Sequence, residues 1–434
     1  MRSARAGASF AALLLLVAHA LAAEPEAQPT ATEEKPRFFF DVGWDDAPTY
    51  EFGQRFPALE PYAWADAAKE VRVAGRIGAS LYLDGGMLAG GALPDGPRFD
   101  VRRARLNTRG ALKLLVVTEY KVEVGFEDRD FYLNDFFLRW RPERFGVDTV
   151  RFGYFDPPIS LEALSGSADR SLMELPAPVA AFAPGYRLGV EATGMRARPS
   201  LNWSLNLSSV GQSQPNTDAS SSSVLRAVGR LVWRPLGDER ARQDVLLHTG
   251  VSVSQVISGS GDLQYRARPE SFLPPYLVDT GNFDGNATLL GVEAAWRRGP
   301  LSLESEYLHA FVDADDAHEI LHFEGAYLQL AWTVTGEMRP YDTASGVFTR
   351  LEPRESYKPF EGHWGALELA ARASWLDLSD RPIRGGRMAT FTFGPVWTWN
   401  RFVRLLAGYV YADVSDSPER STAHVAQARI ELRM

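Results

Sequence analysis

The sequence contains no cysteine and very little lysine. With no Cys among its 434 residues, disulfide bonds, thiolate zinc sites, iron–sulfur clusters and a cysteine nucleophile are all excluded. Only five of the 46 basic residues are lysine, and 55 acidic residues give the chain a net charge of −9. A chain with this charge has no basic footprint for nucleic acid, so we expect no nucleic-acid partner.

Long apolar runs are also missing, except for a short one at the start. Residues 10–18 are uniformly apolar, follow Arg2 and Arg5, and precede the small-x-small triplet Ala20-Leu21-Ala22. This pattern predicts a secretory signal peptide over residues 1–23. The alternative is a membrane anchor, for which the run is too short. No later segment reaches the length of an apolar membrane helix, so we expect an exported protein that is either soluble or a β-barrel.

Composition divides the chain into four parts. Residues 24–36 are polar and proline-rich, which predicts a disordered leader. The predicted organisation is a signal peptide (1–23), the leader (24–36), an N-terminal extension (37–70) and a β-barrel (71–434).

Apolar and polar residues alternate along most of the barrel region. Between residues 71 and 84, the odd positions are apolar or small, whereas the even positions include Arg72, Arg76 and Asp84. A period of two indicates β-strands, and the same pattern recurs in later segments. Long strands with one continuous apolar face are typical of membrane barrels, whose strands have ~10 residues. A soluble β-sandwich or propeller, which also alternates, remains the alternative.

The alternation predicts about 16 antiparallel strands. They span 71–84, 101–109, 113–127, 133–141, 149–155, 186–194, 199–210, 224–234, 244–256, 287–297, 301–310, 322–336, 364–377, 387–399, 402–413 and 423–434. Short connectors alternate with long ones, as expected for periplasmic turns and external loops. The connector 337–363 is long where a short turn is expected. Either it holds additional strand, or the strand count is inaccurate.

Several stretches of the chain resemble one known family. They are GRIGASLYLDG, FDVRRARLNTRG, LNDFFLRWRP, the F-x-P-x-x-S-L-E core at residues 155–162, VTGEMRPY, GALELAARASWLDLSD and GGRMATFTFGPVWTWN. In this order, from about residue 69 to residue 434, they resemble the phosphate-selective porin O and P family of bacterial outer membranes.

The resemblance implies a fold, a location and a function. It implies a barrel of 16 strands in the outer membrane of a Gram-negative bacterium, surrounded by outer-membrane lipid and usually assembled as a homotrimer. It implies passive diffusion of small anions, phosphate being the namesake, past basic residues and an inward-folded third loop at 156–185. Since lysine is scarce here, a general porin or a porin for another solute remains the alternative. No cofactor and no metal are expected.

Candidate residues of an anion pathway follow from the strand alternation and from the resemblance. The alternation places Arg103 and Arg105 in the lumen, and the family's Arg-Arg pair corresponds to Arg102 and Arg103. Because Arg102 falls on the opposite face, we expect it at the rim or with a snorkelling side chain. By the same alternation Arg72, Arg76, Arg109 and Arg226 point inward. The predicted pathway consists of Arg102, Arg103, Arg105, Lys121, Arg151, Arg170 and Arg230. The alternative for each residue is an ordinary salt bridge with a nearby acid, such as Glu123.

One motif points to different chemistry. Residues 318–322 read H-E-I-L-H, the H-E-x-x-H pattern in which two histidines bind zinc and the glutamate activates water. That mechanism requires a helix to bring His318 and His322 to one face. The following residues alternate as a strand, which favours a loop that runs into a strand. A secreted zinc metallopeptidase is therefore the remote alternative.

Overall fold

The chain forms a closed antiparallel β-barrel of 16 strands. The computed structural model describes residues 37–44, 48–55, 72–113, 116–127, 130–142, 144–197, 200–210, 225–237, 244–256, 261–314, 317, 319–416 and 419–434. Each barrel strand pairs with its neighbours in sequence, and the last strand pairs with the first. None of the helices in these ranges is both long and apolar enough to cross a membrane. The predicted signal peptide and leader lie outside the described residues.

The predicted number of strands is confirmed, and most strands are somewhat longer than expected. Two strands precede the barrel, β1 (Arg37–Trp44) and β2 (Pro48–Arg55). The barrel consists of β3 (Arg72–Ala89), β4 (Gly96–Lys113), β5 (Val117–Glu127), β6 (Asp130–Trp140), β7 (Thr149–Phe155), β8 (Arg187–Arg196), β9 (Leu201–Ser209), β10 (Leu225–Leu236), β11 (Val245–Val256), β15 (Phe283–Arg298), β16 (Leu301–Ala314), β17 (Leu321–Thr333), β20 (Ala366–Asp380), β21 (Ile383–Thr398), β22 (Val403–Asp416) and β23 (Glu419–Arg433).

Short elements occupy the long connectors. They are α1 (Leu161–Leu164), α2 (Ala177–Phe182), β12 (Gly261–Leu263), β13 (Arg266–Ala267), β14 (Val278–Asp279), β18 (Tyr341–Asp342), β19 (Val347–Phe348) and a 3-10 helix (Pro359–Glu361). The long connector predicted at 337–363 thus does hold additional strand, because β18 and β19 pair as a small hairpin.

The outer surface of the barrel is apolar because one face of every strand meets lipid. On β4, Leu106 is 57% exposed, whereas the inward Arg103 is 9% exposed. Tryptophans mark one end of this surface. Trp233, Trp332 and Trp397 lie on the outer face near the end of the barrel at which the short turns occur, as in the aromatic girdles of membrane barrels. That end is the periplasmic end.

A β-bulge corrects the expectation for Arg102. Between β3 and β4 the register shifts, so that Tyr82 lies opposite Arg103 and Leu83 opposite Val101, while Arg102 has no opposite residue. A bulge places two consecutive side chains on one side of the sheet. Arg102 and Arg103 are therefore both buried inside the barrel, and Val101 remains exposed outside. The predicted rim or snorkelling position is wrong because strict alternation does not hold across a bulge.

Three connectors fold into the lumen. Loop 3 (residues 156–186) and the described part of loop 5 (residues 261–282) enter from the external end. The periplasmic insert (residues 334–365) enters from the opposite end. The predicted inward fold of loop 3 is confirmed. Helix α2, which belongs to this loop, packs beside β16, β17 and β20. Apolar residues of loops 3 and 5 bury the upper inner wall in one hydrophobic cluster, including Phe182, Tyr265, Leu308 and Phe323.

The two faces of one strand provide a test of this architecture. We expect Leu106→Arg to impair barrel assembly, because an arginine facing lipid near the bilayer midplane costs about 2–4 kcal/mol. Asn107→Arg should be tolerated, because Asn107 faces the lumen and lies opposite Glu123 on β5. Heat-modifiable electrophoretic mobility measures the folded fraction, and equal folded fractions for the two variants would contradict the assigned faces.

Candidate functional site

Loops fill one side of the lumen and leave the other side open. Inward side chains of β16 and β17 are buried, among them Glu304 and Gln329, each about 1% exposed or less. On the opposite wall, formed by β3 to β8, the inward Arg76 and Arg109 are exposed. The Lys121 side chain retains 31% of its accessible surface. The accessible part of the lumen therefore lies along the inner face of β3 to β8, which we call the open wall.

Arginines of the filled side hold loop 3 by its backbone. Arg404 donates to the carbonyl oxygens of Ala168 and Arg170, and Arg339 donates to that of Asp169 at 2.7 Å. Arg429 donates to the carbonyl of Met173 at 2.8 Å, and Arg372 to that of Glu174 at 2.9 Å. A guanidinium group suits this role because it offers five N–H donors in a planar array. These contacts fix the position of loop 3 beside the open wall.

Glu174 supplies the charged part of the same anchor. Arg102 donates two hydrogen bonds to its carboxylate, from Nε at 2.9 Å and from Nη2 at 3.1 Å. Arg429 contacts the same carboxylate and also pairs with Asp84. Burial alone would raise the pKa of Glu174, but Arg102 and Arg429 more than offset it and hold the pKa well below its usual range. The Glu174 carboxylate therefore stays ionised at neutral and mildly acidic pH.

The start of loop 3 is attached to the wall by a single carboxylate. Glu306 accepts hydrogen bonds from Ser160 Oγ, from the backbone N–H groups of Leu161 and Glu162, and from Tyr327 Oη, all at 2.9–3.0 Å. The sequence F-x-P-x-x-S-L-E thus provides the Ser and the free N–H groups that begin α1. Its function in this structure is to dock loop 3 onto β16.

The periplasmic insert is held in the same manner. Arg230 donates to the carbonyls of Ser345 and Gly346 at 3.2 and 3.0 Å, and Asn202 donates to that of Thr343 at 2.7 Å. Tyr341 Oη lies 2.6 Å from Nδ1 of His248. Polar side chains of β9, β10 and β11 therefore bind the insert inside the barrel.

Four of the seven predicted pathway residues are buried. Arg102 is part of the loop 3 anchor, and Arg103 lies 5.9 Å from the ring centroid of Tyr82. Arg170 donates to the carbonyl of Ser165 at 3.2 Å, within loop 3. Arg230 pairs with Glu293 at 2.7 Å on the filled side. All four are therefore buried, and two of them, Arg102 and Arg230, hold inserted segments to the wall.

The other three predicted residues lie on the open wall, each beside an acid. Arg105 contacts Glu123 at 3.1 Å, and its side chain is 14% exposed. Lys121 contacts Glu123 at 3.6 Å and makes a closer pair with Asp135. Arg151 contacts Glu191 at 2.8 Å. Their charges are partly neutralised by these partners, as the salt-bridge alternative anticipated, but they remain accessible from the channel.

The strand registers align Lys121 with two cations that the predicted pathway did not include. Arg76, Arg109 and Lys121 lie directly opposite one another on β3, β4 and β5. Towards the external end, Arg187 lies close enough to Arg226 for their charges to repel each other. Strand alternation alone predicts the inward direction of Arg76, Arg109 and Arg226. Alternation does not identify Arg187, because this residue is the first of its strand and the alternating pattern begins only there.

The arginines outside the predicted pathway differ from the accessible pathway residues in their partners. Within the described ranges, no carboxylate lies within 4 Å of Arg76, Arg109, Arg187 or Arg226. The Nε atoms of Arg187 and Arg226 are buried and have no hydrogen-bond partner there. Among the described residues, Arg76 and Arg109 are therefore exposed cations of the open wall without a close acidic partner. Arg187, whose charge also interacts with that of Asp156, lies near Arg226 of β10.

The H-E-x-x-H motif does not adopt the helical geometry that zinc catalysis needs. His322 belongs to strand β17, and the position of His318 lies outside the described residues. No group of three or more His, Asp or Glu in the described part of the chain is arranged to hold a metal ion. The structure thus favours the interpretation of a loop followed by a strand.

Comparison with known proteins agrees with the fold. The sequence model of the family described as phosphate-selective porin O and P matches residues 72–434. Porin O of Pseudomonas aeruginosa is 26% identical over 300 residues, covering 62% of this chain and 66% of its own length, just under two thirds. An uncharacterised protein of Caulobacter vibrioides is 28% identical over 358 residues, covering 77% of this chain and 68% of its own.

Solved structures share the barrel at low sequence identity. OmpT, an outer-membrane protein of Vibrio cholerae, has a TM-score of 0.51 at 10% identity, covering 83% of this chain and 98% of its own. One OmpT structure, with a TM-score of 0.50, is described as a trimer form. The outer-membrane channel DcaP of Acinetobacter baumannii has a TM-score of 0.51 at 11% identity, covering 83% of this chain and 97% of its own. At such identities the likeness concerns the fold alone.

The loop 3 anchor can be tested through Glu174. We expect Glu174→Gln to leave the guanidinium groups of Arg102 and Arg429 buried without their counter-charge. Breaking a buried ion pair in this way costs about 3–5 kcal/mol. Loop 3 should then loosen, so that single-channel currents become noisier and larger on average. The control is Glu355→Gln, whose side chain is 65% exposed. Currents identical to those of the wild type would show that this anchor does not hold the loop.

Asp156 provides a test of pH dependence. Burial and the neighbouring Asp135 raise the pKa of Asp156, at the start of loop 3, to about 7. The stability that the neutral carboxyl contributes is lost as the pH rises towards 7. Above pH 7 the ionised carboxylate adds a negative charge near Arg151. We expect anion preference, measured by reversal potential, to be stronger at pH 6 than at pH 8. Asp156→Asn should abolish this difference, and an unchanged pH profile in that variant would refute the assignment.

Proposed function

Since the chain belongs to the phosphate-selective porin O and P family of outer-membrane porins, we propose that its channel conducts small anions, with phosphate among the candidates. The family and the closed barrel fit a passive channel rather than an enzyme. The outer membrane of a Gram-negative bacterium is the location of the family and of the structural relatives. The proposal therefore concerns which solutes pass through the pore.

One observation carries the proposal: the aligned row of Arg76, Arg109 and Lys121 on the open wall. A small anion loses part of its hydration in a narrow channel, and fixed positive charges lower the cost of that step. The row lies on three adjacent strands, so an anion that follows the wall meets three cations at one depth. Weak, multiple contacts of this kind allow an ion both to enter and to leave.

The pair of Arg187 and Arg226 supports the same direction of selectivity at the external end. Two like charges held close together create a positive potential, which raises the local concentration of anions. Arginine also suits oxyanions, because its planar fork can donate two parallel hydrogen bonds to one group. Arginine can therefore provide contacts for permeating phosphate even though lysine is scarce.

A second candidate function is supported by the acids of the same wall. Glu123, Asp135 and Glu191 each lie within 3.6 Å of a cationic side chain. An open wall that contains both signs of charge is also compatible with a porin of weaker preference, which passes other small solutes. The two candidates differ in the ratio of anion to cation permeability.

The family and the OmpT trimer form support a further part of the proposal, that the porin assembles as a homotrimer in outer-membrane lipid. Three barrels side by side would bury apolar outer surface that otherwise meets lipid. Cross-linking in native membranes tests this state independently of ion selectivity.

The aligned cations can be tested together. We expect Arg76→Gln, Arg109→Gln and Lys121→Gln, combined in one variant, to shift the channel from anion towards cation preference. The shift in reversal potential under a salt gradient should be largest at low salt, because the Debye length is about 30 Å at 0.01 M and about 8 Å at 0.15 M. Substituting all three is necessary because neighbouring cations partly compensate for the loss of one.

A matched control separates the row from net charge. Lys358, Arg387 and Arg420 have exposed side chains and do not belong to the open wall. Their combined substitution by Gln removes the same formal charge and should leave the reversal potential unchanged. If the channel variant keeps the wild-type reversal potential at low ionic strength, the aligned row does not determine ion preference.

A further inference from the structure

We propose that His309 and His322 form a binding site for one divalent transition-metal ion on the outer face of the barrel wall. The site lies near the external end of β16 and β17 and is separate from the channel. It does not depend on the proposed anion selectivity, because none of its residues faces the lumen.

Strand pairing brings the two histidines together. His322 lies opposite Phe311, and His309 is two residues from Phe311 on the same face of β16. Nε2 of His309 lies 3.1 Å from Nδ1 of His322. The intervening positions on β16, Leu308, Ala310 and Val312, are at most 1% exposed and point into the barrel. The histidines therefore project outward on one surface.

The separation of the two nitrogens fits one shared ion. Two nitrogens bound to zinc at about 2.0–2.1 Å lie about 2.9 Å apart at a right angle and about 3.3 Å apart at a tetrahedral angle. The observed 3.1 Å lies between these values. Without metal the two rings share a hydrogen, and an ion would replace that hydrogen after small rotations of the side chains.

A hydrogen-bond chain orients His309 for this role. Tyr307 Oη donates to the Glu324 carboxylate and lies 2.8 Å from Nδ1 of His309. Because the hydroxyl has one proton and gives it to Glu324, Nδ1 of His309 must carry the proton of the second contact. The free electron pair is then on Nε2, which is the atom that faces His322. Metal-binding histidines commonly have such a partner on the second ring nitrogen.

Packing limits the motion of both rings. The His309 ring stacks on that of Phe311 with centroids 4.3 Å apart. The backbone N–H of His322 donates to Asp380 Oδ2 at 2.9 Å, which fixes the start of β17. Imidazole nitrogens suit Zn²⁺, Cu²⁺ and Ni²⁺. With two protein ligands, the remaining coordination positions are open to water, so we expect a reversible site rather than a structural one.

Titration of the untagged, detergent-solubilised porin with Zn²⁺ tests the site. We expect one Zn²⁺ per chain to bind at this position, and His309→Ala and His322→Ala each to abolish that binding. The matched control is His424→Ala, because His424 is also on the outer face and contacts Tyr409, at 2.6 Å, instead of a second histidine. Heat-modifiable mobility shows whether each variant is folded.

Two further measurements distinguish metal binding from a structural effect. Tyr307→Phe should weaken Zn²⁺ binding roughly 10–100-fold, as is typical when the partner of a ligating histidine is removed. Cu²⁺ bound to the wild type should show electron paramagnetic resonance couplings to two imidazole nitrogens, and to fewer in the folded His322→Ala variant. The proposal is overturned if folded His309→Ala and His322→Ala bind Zn²⁺ as the wild type does, or if His424→Ala abolishes binding equally.

Discussion

The structure depends on hydrogen bonds from wall arginines to the backbone carbonyls of inserted segments. A loop inside a barrel carries many carbonyl groups that have no strand partner, and burying them without hydrogen bonds is costly. Arg339, Arg372, Arg404 and Arg429 satisfy those of loop 3, and Arg230 satisfies those of the periplasmic insert. The position of these loops, and hence the width and location of the channel, follows from this arrangement.

The same requirement explains the unusual ratio of arginine to lysine. An ammonium group is a compact, strongly hydrated charge, whereas a guanidinium group is planar and can bind a carbonyl and a carboxylate simultaneously. Arg429 does so, since it contacts Asp84, Glu174 and the carbonyl of Met173. The basic residues therefore divide into two groups. Arginines such as Arg404 and Arg429 are buried and hold loop 3, whereas Arg76 and Arg109 are exposed on the open wall.

Strand registers contribute a second level of organisation. On the inner face they align Arg76, Arg109 and Lys121 across three strands, and on the outer face they bring His309 to His322. The bulge at Arg102 belongs to the same level, because a single extra residue directs two adjacent arginines inward. In each case residues that are distant or differently phased in sequence become neighbours through backbone pairing.

The sequence by itself determined the barrel, its strand count and the direction of most side chains, because a period of two is a local property of extended chain in contact with lipid on one side. It also indicated that loop 3 enters the lumen, through the family resemblance. Only the tertiary structure decided which arginines face water. Arg105 and Arg230 both point inward by alternation, yet loops cover Arg230 and leave Arg105 accessible. That difference depends on how segments far apart in the chain pack against each wall, so no local sequence pattern predicts it.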